Sequence, residues 1–290
     1  MRLIIVSGLS GSGKSVALNM LEDLDFYCVD NIPAGLLHDF IEYTVRTSQS
    51  TYQHTAVGVD ARNRPEDLDD VPRLVEELRS GGIGCEVVFL KADNEVLVKR
   101  FSETRRRHPL SRAGLGLKEA LEQEQRLLAP VANAADLTID TSRLSVHELR
   151  ELVRERLVER ASTGPSLLFQ SFAYRHGVPD DADFVFDARS LPNPYWDSEL
   201  RDLTGRDPAV AQFLDSHDDV RRFLADLVTF LENWLPALVK SNRSYLTIAI
   251  GCTGGQHRSV HLAERLAAHF NGRMGPALIR HRDLSSRRHE

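Results

Sequence analysis

Residues 8–15 read Gly8-Leu9-Ser10-Gly11-Ser12-Gly13-Lys14-Ser15, the spacing G-x-x-x-x-G-K-S. Glycines at these positions let consecutive backbone N–H groups curl round a phosphate, and a following helix adds its positive N-terminal end. Lys14 has the reach for β- and γ-phosphates, and the Ser15 hydroxyl suits Mg²⁺. Such chemistry needs an acid at the end of a second strand, close to the metal. Asp60, after Ala56-Val57-Gly58-Val59, is the first candidate, which makes Lys14 and Asp60 the catalytic pair and Ser15 and Asp60 the metal ligands. Asp30 is the rival, in Cys28-Val29-Asp30-Asn31. Arg100, Arg105, Arg106, Arg107 and His108 follow a strand-like run, and Arg105, Arg106 and Arg107 read as a cationic lid for transferring phosphate.

A second loop, Gly251-Cys252-Thr253-Gly254-Gly255-Gln256-His257-Arg258-Ser259, also lies between an apolar run and a helical pattern. The leading reading is a binding loop for a phosphorylated ligand, built from Cys252, Thr253, Gly254, Gly255, His257, Arg258 and Ser259, with Arg258 as a bidentate partner. The same segment fits C-x₅-R-S, the nucleophile loop of cysteine phosphatases, in which the Cys252 thiolate would attack. A phosphatase also needs an acid, for which Asp181, Asp183, Asp187 and Asp197 are candidates.

The elements that must position these loops are short strands alternating with helices, the pattern of an α/β protein with a parallel sheet. Residues 2–7, 55–60, 86–91 and 136–140 read as strands. Helical patterns occupy 16–24, 66–79, 94–107 and 117–129. Ser145 and Glu148 form a capping box ahead of an apolar stripe of Val146, Leu149, Val153 and Leu157. Ser162-Thr163-Gly164-Pro165 breaks the pattern and separates a domain over 1–161 from one over 166–290. In the second, strands are expected at 167–172, 184–189, 245–251 and 278–280, with helices at 220–238 and 259–270.

The chain has 290 residues, of which 42% are hydrophobic and 27% charged, a globular balance that excludes a disordered or fibrous architecture. No apolar run reaches the roughly 20 residues of a membrane helix. Three widely spaced cysteines form neither a disulfide framework nor a zinc pattern, so a reducing cytoplasm is expected. Net charge is −6, yet residues 241–290 carry eight arginines and no lysine against three acids. That basic end suggests a polyanion partner, with Arg273, Arg280, Arg282, Arg287 and Arg288 as candidate contacts for RNA.

Taken together, Gly8–Ser15, Phe26-Tyr27-Cys28-Val29-Asp30-Asn31, Asp60-Ala61-Arg62-Asn63, His108-Pro109-Leu110, Leu191-Pro192-Asn193-Pro194 and Gly251–Ser259 resemble the bacterial RapZ/YvcJ family of P-loop nucleotide-binding proteins, in order and over nearly the whole chain. The resemblance implies ATP and GTP hydrolysis with Mg²⁺. It implies an ATP loop over Gly8, Leu9, Ser10, Gly11, Ser12, Gly13, Lys14 and Ser15, and a GTP-contacting motif over Asp60, Ala61, Arg62 and Asn63. It also implies a kinase-like N-terminal domain and a C-terminal domain similar to a phosphofructokinase sugar-phosphate-binding domain. Partners implied are a small regulatory RNA, an endoribonuclease, an aminosugar phosphate and further copies of the chain. The tail Ser285-Ser286-Arg287-Arg288-His289-Glu290 lacks the lysines of the enteric type, and Tyr195 stands where a histidine is expected. A small-molecule kinase using Asp30 or Asp60 is the alternative.

Overall fold

The computed structural model describes residues 1–47, 50–104, 106–111, 115–158, 165–240, 243–275 and 277–284. The chain divides into two units, Met1–Glu159 and Arg160–Glu290. Arg105 of the expected lid, Ser162-Thr163-Gly164 of the expected linker, and Arg287 and Arg288 of the expected RNA surface lie outside the described residues.

The first unit is built on a parallel sheet of β1 (Arg2–Gly8), β2 (Tyr27–Val29), β3 (His54–Val59), β4 (Gly84–Lys91) and β5 (Leu137–Asp140), in the order β2-β3-β1-β4-β5. β1 lies at the centre, and its Leu3, Ile4, Ile5 and Val6 are fully buried, as a strand covered on both faces demands. The helices are α1 (Lys14–Glu22), α2 (Leu37–Thr47), α3 (Pro65–Ser80), α4 (Asn94–Thr104), α5 (Leu117–Asn133) and α6 (Val146–Val153). In α3 the fixed φ of Pro65 starts the helix, and Leu68, Val71, Val75 and Leu78 form its buried stripe.

The second unit has a four-stranded parallel sheet, β7-β8-β6-β9, made of β6 (Ser166–Ala173), β7 (Phe184–Asp187), β8 (Tyr245–Cys252) and β9 (Ala277–His281). Helices α7 (Pro208–Ser216), α8 (Asp218–Lys240) and α9 (Arg258–Phe270) complete it. Its core joins Leu167, Phe169, Ile248 and Ile250 of the sheet to Leu227, Leu231 and Leu235 of α8 and Leu262, Leu266 and Phe270 of α9.

Several expectations are corrected by these elements. The capping box is present, with Glu148 N–H donating to Ser145 Oγ (3.2 Å) and Ser145 N–H to Glu148 Oε2 (2.8 Å). Val146, however, sits in the first turn with its side chain 61% exposed, and the buried stripe is Leu149, Leu152 and Val153. A π-helical turn, Arg154–Val158, then widens the helix and carries Leu157 inward. The helix expected over 94–107 stops at Thr104, so His108 belongs to an irregular connector. The strand expected over 184–189 stops at Asp187, whose carboxylate takes the Arg189 N–H (2.9 Å) and turns the chain. α2 and α7 were not anticipated, and β2 was foreseen only as a strand that Asp30 could end.

Candidate functional site

The loop between β1 and α1 is shaped by three glycines with positive φ, Gly8 (153°), Gly11 (88°) and Gly13 (105°). A Cβ on Gly8 would lie 2.4 Å from the Leu90 carbonyl oxygen, and one on Gly13 would lie 2.6 Å from Leu149 Cδ2. Glycine is therefore required here both by conformation and by space. α1 begins at Lys14, so the first N–H groups of the helix face out of the loop without intrahelical partners.

The loop is also held from behind. Arg100 Nη1 donates to the Gly11 carbonyl (3.0 Å) and to Thr141 Oγ1 (3.0 Å), while its Nη2 donates to the Thr141 carbonyl (2.6 Å). Thr141 Oγ1 donates in turn to the Ser12 carbonyl (2.8 Å). Arg100 is thus a brace for the loop and not part of a cationic lid. Ser10 is fixed from the side, with its hydroxyl 2.6 Å and its N–H 2.9 Å from the two oxygens of Glu124. Leu9 contributes its side chain to the core.

β1 and β3 are neighbours, so the residue after β3 arrives beside the loop. That residue is Asp60. Lys14 Nζ lies 3.3 Å from Asp60 Oδ2 and 2.8 Å from Asp30 Oδ1, which brings together the lysine and both sequence candidates for the acid. Asp30 follows β2 and is half-exposed, whereas the Asp60 side chain is 8% exposed. Gly58 makes room for Asp30, since a Cβ there would lie 2.6 Å from Asp30 Oδ1. Burial alone would raise the Asp60 pKa. Hydrogen bonds from the Arg62 guanidinium and N–H, with the Lys14 charge, outweigh it and hold the carboxyl below its ordinary value. Arg62 grips Asp60 from Nε (3.0 Å) and Nη2 (2.5 Å). Asn63 fixes the turn by donating to the Asp60 carbonyl (3.0 Å) and accepting the Ala34 N–H (2.6 Å), and Ala61 is buried beneath it. Ser15 is exposed in the first turn of α1.

Arg106 and Arg107 are exposed on the connector after α4, but His108 is buried there. Its Nε2 lies 3.1 Å from Glu124 Oε2. Sequence reasoning missed Glu124 and Thr141. Glu124 was detectable, since Ala120, Leu121, Glu124, Leu128 and Val131 share one helical face, which makes a carboxylate in an otherwise apolar stripe. Thr141, one residue past β5, carried no sequence signal.

In the second unit the loop 252–259 joins the carboxyl end of β8 to α9. The Cys252 thiol is buried, accepts the Gly255 N–H (3.2 Å) and lies 3.1 Å from Ser259 Oγ. Arg258 is also buried, its Nη1 donating to the Arg189 (2.9 Å) and Leu191 (3.0 Å) carbonyls. Its Nη2 lies 3.4 Å from Thr253 Oγ1, and its Nε has no partner among the described residues. The guanidinium is therefore largely committed to the Leu191-Pro192-Asn193-Pro194 turn. His257 Nε2 reaches the Leu200 carbonyl (3.1 Å), and burial lowers its pKa. Thr253 and Gly254 are the members of the loop that remain open to solvent.

Of the arginines expected on RNA, Arg273 is exposed and 3.5 Å from Glu232. Arg280 Nη1 lies 3.3 Å from Gln170 Oε1. Arg282 is turned inward, donating to the Gly177 (2.6 Å) and Ala173 (3.2 Å) carbonyls and lying over the Phe172 ring. Among the described residues no helix is long and apolar enough to cross a membrane.

An α/β protein with a glycine-shaped phosphate loop ahead of α1, and a lysine between two strand-end carboxylates, is the class these observations define. Residues 1–161 match the RapZ-like N-terminal domain and residues 165–285 the RapZ C-terminal domain. The chain belongs to the RapZ family. A nucleotide-binding protein of Thioalkalivibrio sulfidiphilus is 54% identical over 286 residues, covering 98% of this chain and 100% of the relative. One of Alkalilimnicola ehrlichii is 54% identical over 284 residues, with 98% of both chains covered. Among solved structures, shikimate kinase from Bacteroides thetaiotaomicron is 16% identical with a TM-score of 0.35, covering 53% of this chain and 98% of the kinase.

Proposed function

We propose that the first unit binds the triphosphate of ATP or GTP with Mg²⁺ and hydrolyses it slowly, as a regulatory rather than metabolic enzyme. The observation that carries this reading is Lys14, whose ammonium lies 2.8 Å from Asp30 and 3.3 Å from Asp60. A cation already occupies the place between two carboxylates, next to unpartnered helix N–H groups. Ser15 and Asp60 offer the hard oxygen donors that Mg²⁺ takes. When bound, Mg²⁺ neutralises charge on the phosphate oxygens.

The rest of the chemistry falls to the chain. The loop amides and Lys14 bind the phosphates, and Arg62 keeps Asp60 anionic. A carboxyl held below its ordinary pKa is a poor general base, so Asp60 acts as a fixed charge. Asp30, paired with Lys14 but more open to solvent, is the group placed to orient an attacking water. Asp60, Ala61, Arg62 and Asn63 line the same side as a nucleotide-contacting turn. The relatives named nucleotide-binding proteins support the assignment.

Lys14→Ala tests it. Steady-state phosphate release from ATP and GTP should fall at least about 100-fold with the circular dichroism spectrum unchanged. Near wild-type release from a folded variant rejects the site. Phosphate appearing on a metabolite instead of as free ion favours a small-molecule kinase that uses Asp30.

The second unit is proposed as the adapter side: a phosphorylated ligand, such as an aminosugar phosphate, at 252–259, and a small regulatory RNA presented to an endoribonuclease. Membership of the family and the eight arginines of residues 241–290 support that reading. Assembly of several copies and residence in the cytoplasm complete it.

A further inference from the structure

We infer that Glu124 is a positioning residue that couples the phosphate loop to the arginine-bearing connector 106–111, so that occupancy of the loop changes how firmly the connector is held. The inference rests on the nucleotide reading above and deepens it.

Glu124 is fully buried in α5, far along the helix from either end. A buried carboxylate persists only when its oxygens are satisfied. Hydrogen-bond accounting identifies its donors. Ser10 supplies two, its hydroxyl to Oε1 (2.6 Å) and its N–H to Oε2 (2.9 Å). The third is His108. Its Nδ1 accepts the Leu110 N–H (3.2 Å), so in the neutral ring the proton resides on Nε2 and is donated to Glu124 Oε2 (3.1 Å). One carboxylate oxygen therefore takes a proton donor from the phosphate loop and another from the connector.

The two ends of this relay differ in kind. Ser10 is part of the nucleotide loop, and its N–H is committed to Glu124 rather than pointed at phosphate. His108 is the buried anchor of a connector whose Arg106 and Arg107 are exposed, and its ring lies 5.3 Å from that of Phe101 in α4. A phosphate that draws the loop forward pulls on the oxygen that also holds His108. Shared acceptors of this type make neighbouring hydrogen bonds interdependent. The chemistry served is the placement of Arg106 and Arg107 relative to a nucleoside triphosphate.

The test uses the full chain, trypsin, and a non-hydrolysable ATP analogue with Mg²⁺ as the probe. Cleavage after Arg106 and Arg107, read by mass spectrometry, requires the connector to open and so reports its held fraction. In the wild type the bound analogue should change that cleavage rate at least about fivefold. His108→Phe keeps a ring of similar size against Phe101 but removes the donor. It should bind the analogue within about threefold of wild type while the cleavage response disappears. Glu124→Gln should retain the response, because its amide oxygen can take the Ser10 N–H and His108 while its amide nitrogen donates to Ser10 Oγ. Should His108→Phe fail to fold, the double variant His108→Phe with Glu124→Gln leaves no buried charge short of a donor and should show the same loss. A wild type that binds the analogue with no change in cleavage overturns the coupling and leaves the nucleotide site standing. A His108 variant that keeps the response does the same. No binding of the analogue to the wild type overturns both.

Discussion

Arg100 donates a hydrogen bond to the Gly11 carbonyl at 3.0 Å, and so ties α4 to the phosphate loop. The same guanidinium holds Thr141, whose hydroxyl reaches Ser12. Two carbonyls of the loop are thus oriented by side chains from two separate elements, Arg100 of α4 and Thr141 after β5.

Arg100→Met should cost about 1–3 kcal/mol of stability, since it leaves partly buried carbonyls without their donor. Nucleotide affinity should fall about tenfold, as a loosened loop must be ordered on binding. Thermal melting with and without ATP and Mg²⁺ separates the two effects. Arg100→Lys should rescue little, because an ammonium cannot span three acceptors in one plane. Wild-type affinity in Arg100→Met would show that the brace does not organise the site.

The Asp60 carboxyl gives a pH signature. Its folded pKa lies below the ordinary 3.8, through its bonds to Arg62 and the Lys14 charge. The stability it contributes is complete above the unfolded value and is lost as pH falls through the lower folded one. Asp60→Asn should therefore be less stable than wild type at pH 7, by about 1–3 kcal/mol, with the gap closing below about pH 4. Chemical denaturation at pH 7 and at pH 3 measures it. A gap unchanged at pH 3 would show that the ionic contacts are not what the substitution removes.

In the second unit Arg258→Ala strips the donors from the Arg189 and Leu191 carbonyls and should destabilise that unit by about 2–4 kcal/mol. Cys252→Ser keeps a small buried polar group and should cost less than about 1.5 kcal/mol. If the loop binds a phosphorylated ligand without attacking it, Cys252→Ser should bind a sugar phosphate nearly as well as wild type by calorimetry. Phosphate-ester hydrolysis that persists in Lys14→Ala and vanishes on adding Cys252→Ser would make Cys252 a nucleophile.

The basic end of the chain contains arginines in two different settings. Arg282 braces Ala173 and Gly177, so Arg282→Ala should lower the melting temperature before it reports on any partner. Arg273→Ala, at an exposed position, should leave melting unchanged and flatten the slope of log K against log salt for a structured small RNA by up to about 1 unit. Removing Arg287 and Arg288 together should flatten it by up to about 2 units. Unaltered slopes in all of these would move any RNA contact elsewhere.

The phosphate loop, its strand and its helix were readable because their glycines and lysine are constrained by local chemistry. The same holds for Ser145 and Glu148, whose partners are three residues apart. β2 was legible only as a strand that Asp30 could end, because three residues cannot show a period, and Asp25 and Asn31, both with positive φ, bracket it with turns. Arg100 and Glu124 were misjudged for a different reason. An arginine among arginines, or a glutamate among Glu122, Gln123 and Gln125, resembles a solvated helix face. Only the fold discloses that Arg100 meets Gly11 and Glu124 meets Ser10. The bonds of Arg258 to the Arg189 and Leu191 carbonyls were not legible, because every residue possesses a backbone carbonyl and no motif records which one is met.

The central position of β1 also governs when the phosphate loop can come into being during synthesis. Arg2 pairs with His54 on one side and with Gly84 on the other, so the strand that carries the loop emerges from the ribosome long before either neighbour exists. Until β3 has been translated both edges of the Leu3, Ile4, Ile5 and Val6 backbone are unpaired, and until β4 follows one edge stays open. Nascent chains should remain sensitive to protease and unable to retain nucleotide until residues beyond Lys91 have cleared the exit tunnel. A segment made before both of its neighbours thus gains its function only after them.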